Sequence, residues 1–251
     1  MHALKVICCF IAIYMCINAV QGEKVSVTVY YESLCPDSKK FFTSQLYPAL
    51  INTNISERVN LTLVPYGLSQ QVQVDGQWQF TCHHGAYECV GNKIQACAIK
   101  KIEEASPTPA GQGFNPITVA FINCLMDKVE NVTKPGQDPE YVFPITNCSE
   151  INKVRNSAII ENCRNHIDGS NYLAELGVLT QKLQPPLKSV PTIVFNNAYK
   201  KEDSTLAQKN FVEALCQYIK DNKPSECKNS ATSLSISISV LLLSLLIKQF
   251  L

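Results

Sequence analysis

No charge of one sign accumulates in this chain: 22 Lys and Arg stand against 21 Asp and Glu over 251 residues, a formal net charge of +1. Without a basic stripe nothing offers itself to a phosphate backbone, so no nucleic-acid partner is expected. The mature part has no internal repeat and no low-complexity tract, which excludes solenoid and linker readings. Long apolar runs are missing too. The two that exist, Val6 to Ile17 and Leu234 to Ile247, both fall short of the roughly 20 residues that a helical membrane span needs.

Those two runs sit at the ends of the chain. The first follows a short basic start (His2, Lys5) and precedes Asn18-Ala19-Val20-Gln21-Gly22, the pattern of a secretory signal over residues 1–22. Four Asn-x-Ser/Thr sequons, at Asn54, Asn60, Asn131 and Asn147, fit a glycoprotein on that route. The second run closes a tail, residues 229–251, which opens with the small residues Asn229-Ser230-Ala231. That order suits a glycolipid-anchor signal; a retained membrane segment and a trimmed soluble form are the other two readings. The destination is then the lysosome, the cell surface or the outside. Residues 23–228 remain as one domain with a sizeable core.

Of the 12 cysteines, Cys8, Cys9 and Cys16 lie in the leader. Nine stay, so one lacks a mate. Cys35 is the natural odd one out, because in Cys35-Pro36-Asp37-Ser38 its local partner position holds serine. The remaining eight, Cys82, Cys89, Cys97, Cys124, Cys148, Cys163, Cys216 and Cys227, suffice for four structural disulfides. Eight cysteines allow about 105 connectivities, and only Cys216 with Cys227 suggests itself, as a clip between the last helix and the segment after it.

Cys35 stands where a strand (Val25 to Tyr31) hands over to a helix (about Asp37 to Ile51). The unpaired N–H groups and positive dipole end of such a helix favour thiolate over thiol. A second strand, Val59 to Pro65, completes a crossover unit and implies a parallel pair. Near the far end, Val190-Pro191-Thr192-Ile193-Val194-Phe195 reads as a strand opened by proline, with an Asn196-Asn197 turn, a short strand near Tyr199 and a helix from Thr205 to Ile219 after it. The fold class is α/β, thioredoxin-like, with a large helical, disulfide-bonded insertion over about residues 83–183. Helices are expected there at Asn92 to Glu104, Pro116 to Val129, Ile151 to Arg164 and Ser170 to Leu179, with a loop at Ser106 to Asn115. A cis bond before Pro191 would set the backbone of Val190 beside the sulfur, where an extended substrate segment can dock.

Val27 to Cys35, Leu61 to Gly67, Cys82 to Cys97 and Gln184 to Pro191 together resemble the gamma-interferon-inducible lysosomal thiol reductases. The family signature Cys-Gln-His-Gly-x-x-Glu-Cys-x-x-Asn-x-x-x-x-Cys is met at Cys82, His84, Gly85, Glu88, Cys89, Asn92 and Cys97, with His83 in the glutamine position. The resemblance implies a secretory-pathway glycoprotein that reduces protein disulfides at acidic pH through a Cys-x-x-Cys pair. Here only the first of that pair is present.

Cys82, His84, Cys89 and Cys97 are zinc-ligand types, but an oxidising route and an even cysteine count place them in bridges, and no metal is expected. No cofactor is expected either, beyond an external small thiol as reductant. Ser38 cannot resolve a mixed disulfide, because forming the alkoxide it would need is far too costly. The leading expectation is a monothiol thiol–disulfide oxidoreductase acting on disulfide-containing proteins, with Cys35 as nucleophile, Ser38 as hydrogen-bond donor to the thiolate and Val190-Pro191 as docking edge. The alternative is a binding module or surface glycoprotein that captures partners without turnover. Oligomeric state is left open.

Overall fold

The computed structural model describes residues 22–228. The expected tail, and the expected signal apart from Gly22, lie outside the described residues. Among those described, no helix is long and apolar enough to cross a membrane.

The first strand, β1 (Val25–Tyr31), is flanked on one side by β2 (Val59–Pro65), parallel, and on the other by β7 (Thr192–Phe195), antiparallel. Val29 sits opposite Leu63 in β2 and Ile193 in β7. The sequence of β1 reads as a buried strand, and every residue from Val27 to Tyr31 is buried. The reason is position: a central strand is covered on both sides. Val27, Val29 and Tyr31 enter the main core with Phe41, Phe42 and Phe195, while Tyr30 packs with Val64, Val194 and Leu173 on the opposite face.

Between β1 and β2 the chain is helical: α1 (Pro36–Phe41), a π-helical stretch Phe42–Leu46, and α2 (Tyr47–Asn52). Pro48 has no N–H to give the carbonyl of Ser44, and the run widens just there into the π turn. Beyond β2 lies a hairpin that the sequence reading passes over, β3 (Gln70–Val74) and β4 (Gln77–Thr81). Its turn is Asp75-Gly76, both at positive φ (49° and 75°), the dipeptide that a tight hairpin favours.

The insertion is helical: α3 (Ala86–Ala105), α4 (Pro116–Lys128), α5 (Ile145–Ile151), α6 (Ala158–Asn165) and α7 (Ile167–Gln181), with a two-residue pairing of β5 (Glu130–Asn131) and β6 (Tyr141–Val142) between α4 and α5. The loop at Ser106 to Asn115 ends in a cap, Asn115 Oδ1 accepting from the N–H groups of Ile117 (3.0 Å) and Thr118 (3.3 Å). Instead of one helix from Ile151 to Arg164 there are two, separated where Lys153 and Asn156 take positive φ. Past β7, Asn196 and Asn197 also turn with positive φ, and the expected strand near Tyr199 amounts to a single bridge between Phe195 and Ala198. The last helix likewise divides into α8 (Lys201–Lys209) and α9 (Phe211–Cys216), with Asn210 Oδ1 capping α9 through the N–H of Glu213 (3.1 Å). A propensity reading runs through such breaks, because asparagine is a tolerable helix residue as well as a good cap.

Four disulfides fasten this frame. Cys97–Cys163 ties α3 to α6, Cys124–Cys148 ties α4 to α5, Cys82–Cys89 closes the approach to α3, and Cys216–Cys227 clips the end of α9 to the segment after it. The architecture is a thioredoxin-like α/β fold carrying a helical, disulfide-bonded insertion.

Candidate active site around Cys35

Cys35 is the N-cap residue of α1, with extended backbone (φ −66°, ψ 122°), and its carbonyl accepts the first helical bond from Lys39 N–H at 2.9 Å. It is the free cysteine of the described residues and is 6% exposed. Its thiol points to the carbonyl of Val190, 3.8 Å away, across the cis Val190–Pro191 bond. Pro191 is buried and its own carbonyl accepts from Gln208 Nε2 (2.8 Å), so the edge beside the sulfur is anchored from behind by α8. Ser38 is fully buried one turn into α1, and its hydroxyl oxygen accepts from Glu32 N–H at 3.4 Å. Asp37 is exposed, so its charge is spent on water rather than on the sulfur.

The loop leading to Cys35 is strapped to one face of α3. Ser33 N–H donates to Asn92 Oδ1 (2.9 Å), Ser33 Oγ donates to the Glu88 carbonyl (3.1 Å), and Tyr31 Oη donates to Gln95 Oε1 (2.6 Å). Glu88, Asn92 and Gln95 lie three to four residues apart on one stripe of the helix, and all are fully buried. This gives the spacing Glu-x-x-x-Asn of the signature a physical task, since each residue meets the active loop at a successive turn.

The same frame brings together a polar cluster that the linear sequence does not reveal. Glu32 Oε1 accepts from Leu68 N–H (2.7 Å), while its Oε2 lies 3.3 Å from His83 Nδ1 and 3.1 Å from His84 Nδ1. Glu88 Oε1 accepts from His84 N–H (3.0 Å), and its Oε2 meets the same His84 Nδ1 at 2.5 Å. Burial, and then the neighbouring Glu32 carboxylate, push the Glu88 carboxyl above its ordinary range, against the opposing pull of the His84 bonds. Gly67 makes room for this seat: it holds φ +60°, and a Cβ there would meet Glu32 Cγ at 2.2 Å. Glu32 is the functional-site residue that sequence reasoning misses. Its only linear signal is its place three residues before Cys35 in the same turn.

Of the other residues singled out in the sequence, the eight cysteines besides Cys35 are all bridged, and Asn54, Asn60, Asn131 and Asn147 are all exposed. Substantial hollows lie on other faces, one of about 350 Å³ along Leu61, Ile99, Phe114 and Val119. Cys35 instead is buried beside the bend at Val190 and Pro191 that leads into β7.

A family model described as gamma interferon inducible lysosomal thiol reductase matches residues 26–167. GILT-like protein 1 of Drosophila melanogaster is 40% identical over 248 residues, 98% of this chain and 96% of its own length. The gamma-interferon-inducible lysosomal thiol reductase of Mus musculus is 31% identical over 212 residues, 83% of this chain and 74% of its own. Among solved structures, the DsbA of Chlamydia trachomatis superposes with a TM-score of 0.49 at 12% identity, covering 77% of this chain and 86% of that one. The family match spans more than half of the chain and carries the loop, the cap and the α3 stripe described above: the chain belongs to the gamma interferon inducible lysosomal thiol reductase family.

Proposed function

We propose that this protein is a thiol–disulfide oxidoreductase that acts on protein disulfides through one nucleophilic sulfur, that of Cys35. The observation that carries the reading is an unbridged cysteine at the mouth of α1, facing the Val190 carbonyl at 3.8 Å, in a molecule whose other described cysteines are all paired. Family membership supports the reaction class. The Cys35 thiolate attacks one sulfur of a substrate disulfide, the new bond joins enzyme to substrate, and the second substrate sulfur leaves as a thiolate that takes a proton from solvent. Ser38 leaves the enzyme no internal thiol to break that bond. An external small thiol attacks in its place, and a second equivalent completes the cycle: one protein disulfide and two small thiols become two protein thiols and one small disulfide. The Val190–Pro191 edge is the docking strip, where backbone groups pair with an extended substrate segment, and the Ser38 hydroxyl steadies the thiolate.

The compartment belongs to the same proposal. Four disulfides need an oxidising route, four exposed sequons suit glycosylation on it, and the terminal segments suit a secretory signal and a glycolipid or membrane attachment. Delivery to the lysosome, the surface or the outside completes the reading.

The test is turnover of a disulfide-bonded protein substrate with and without added small thiol. Thiol-dependent reduction that disappears in Cys35→Ala is expected, together with one equivalent of trapped mixed disulfide when the small thiol is withheld. Ser38→Cys is expected to raise turnover, because it restores an internal sulfur that releases the substrate, while two equivalents of external thiol are still consumed per cycle in reducing the enzyme disulfide that results. Activity unchanged in Cys35→Ala would remove that residue as nucleophile. Stoichiometric trapping without turnover at any thiol concentration would establish the capture module instead.

A further inference from the structure

The site holds more negative charge than thiol exchange uses. Glu32 and Glu88 are both fully buried, and their ion-pair partners among the described residues are His83 and His84, with no Lys or Arg at either. Each carboxylate keeps one oxygen on a backbone N–H and turns the other to the ring of His84. Buried carboxylates ordinarily sit against a cationic side chain or a metal. The sulfur of Cys35 completes the set: it, one carboxylate oxygen of Glu32 and one ring nitrogen of His84 lie within 4.8 Å of one another, a grouping of His, Cys, Asp or Glu donors found once among the described residues.

We propose that Glu32, Cys35 and His84 form a binding site for a thiophilic divalent transition metal of the Zn²⁺ class, which caps the Cys35 sulfur in the resting protein. One thiolate, one imidazole and one carboxylate are the donor types such ions select, whereas Ca²⁺ and Mg²⁺ want oxygen alone. Bonds of about 2.0–2.3 Å around a tetrahedral ion put its donors about 3.4 Å apart. The His84 and Glu32 atoms already stand at 3.1 Å, and the whole triangle closes from 4.8 Å by a side-chain shift of about 1 Å. One outer contact suits the task. Leu68 N–H fixes Glu32 through its other oxygen, while the bond of Glu88 to His84 Nδ1 gives way to the metal, because it holds the same ring nitrogen that faces Glu32. Three protein donors leave one tetrahedral position to water. These residues are distinct from the set Cys82, Cys89 and Cys97, which is bridged; His84 alone is common to both. Metal and substrate disulfide then compete for one sulfur, so the ion acts as a reversible inhibitor.

The test uses the mature glycoprotein with Cys35 kept reduced, stripped of metal, and Co²⁺ as the probe. One equivalent of Co²⁺ is expected to bring up a thiolate-to-metal charge-transfer band in the near ultraviolet, which Zn²⁺ abolishes by displacement. Zn²⁺ is expected to slow alkylation of Cys35 by iodoacetamide, and a chelator to restore it. Cys35→Ser removes the band. Glu32→Gln and His84→Ala each weaken Co²⁺ by at least about tenfold. If buried Glu32→Gln fails to fold by circular dichroism, His84→Ala decides alone, since that side chain is 31% exposed. No band at millimolar Co²⁺, a band that survives Cys35→Ser, or affinity unchanged in His84→Ala would overturn the site. Turnover of the metal-free protein is measured separately, so loss of the metal site and loss of the exchange reading are told apart.

Discussion

Asn92 shows how a single residue holds a loop far along the chain. Its Oδ1 takes the N–H of Ser33, two residues before the sulfur, in a place with no water access. A buried donor left unpaired costs about 1–3 kcal/mol. Asn92→Ala is therefore expected to lose about 2 kcal/mol in urea unfolding and to change the alkylation rate of Cys35 as the loop loosens. A loss below about 0.5 kcal/mol would mean that another group takes up the Ser33 N–H. Asn92 and Glu88 are legible in the sequence as parts of a signature, but their task is not. Ser38 is legible as a missing sulfur, while the partner of its oxygen, the Glu32 N–H, appears only in the folded turn.

At the scale of elements, α3 organises the molecule. It presents Glu88, Asn92 and Gln95 to the active loop and carries Cys97, whose bridge to Cys163 in α6 closes a separation of 66 residues. Loop-closure entropy makes this bridge worth about 4 kcal/mol and the seven-residue Cys82–Cys89 bridge about 2 kcal/mol. Replacing both Cys97 and Cys163 by alanine is expected to lower the melting temperature clearly more than replacing Cys82 and Cys89, by calorimetry. The reverse order would show that the short bridge acts through the polar cluster it encloses rather than through chain entropy. The sequence yields α3 and α4 well, because they are long and periodic. It blurs α6 and the C-terminal helices, because their breaks rest on asparagines whose turn or cap role is fixed by the residues around them. The β3–β4 hairpin was readable in Asp75-Gly76 and in the alternation of Val72, Val74, Trp78 and Phe80 with glutamine, although its strands end up largely exposed.

For the whole molecule, stability at low pH depends on which carboxylates the fold holds charged. Glu103 accepts hydrogen bonds from Thr108 N–H (2.8 Å), Thr108 Oγ1 (2.7 Å) and Asn115 Nδ2 (2.9 Å), and these hold its carboxyl below the ordinary range. A folded-state pKa below the unfolded one adds stability that is complete above about pH 4.5 and fades as pH falls through the lower folded value. The protein is thus expected to keep this contribution at pH 5. Glu103→Gln should narrow the stability gap between pH 6 and pH 3 in urea unfolding, and a gap left as wide as in the parent would refute the role given to the clamp.

Local chemistry was settled by the sequence itself: the odd cysteine in a helix-opening turn, the serine three residues on and the proline-led strand all depend on residue type and short-range order. Cys216 with Cys227 was already legible as a pair; tertiary structure alone decided the other three cysteine pairings, the cover on both faces of β1, and the meeting of Glu32, His84 and Glu88 beside Cys35. The reason is physical. Patterns along the chain encode contacts a few residues apart, whereas the bridges span from 7 to 66 residues and β1 meets β7 from the far end of the described chain, contacts selected by how the helices close over the sheet.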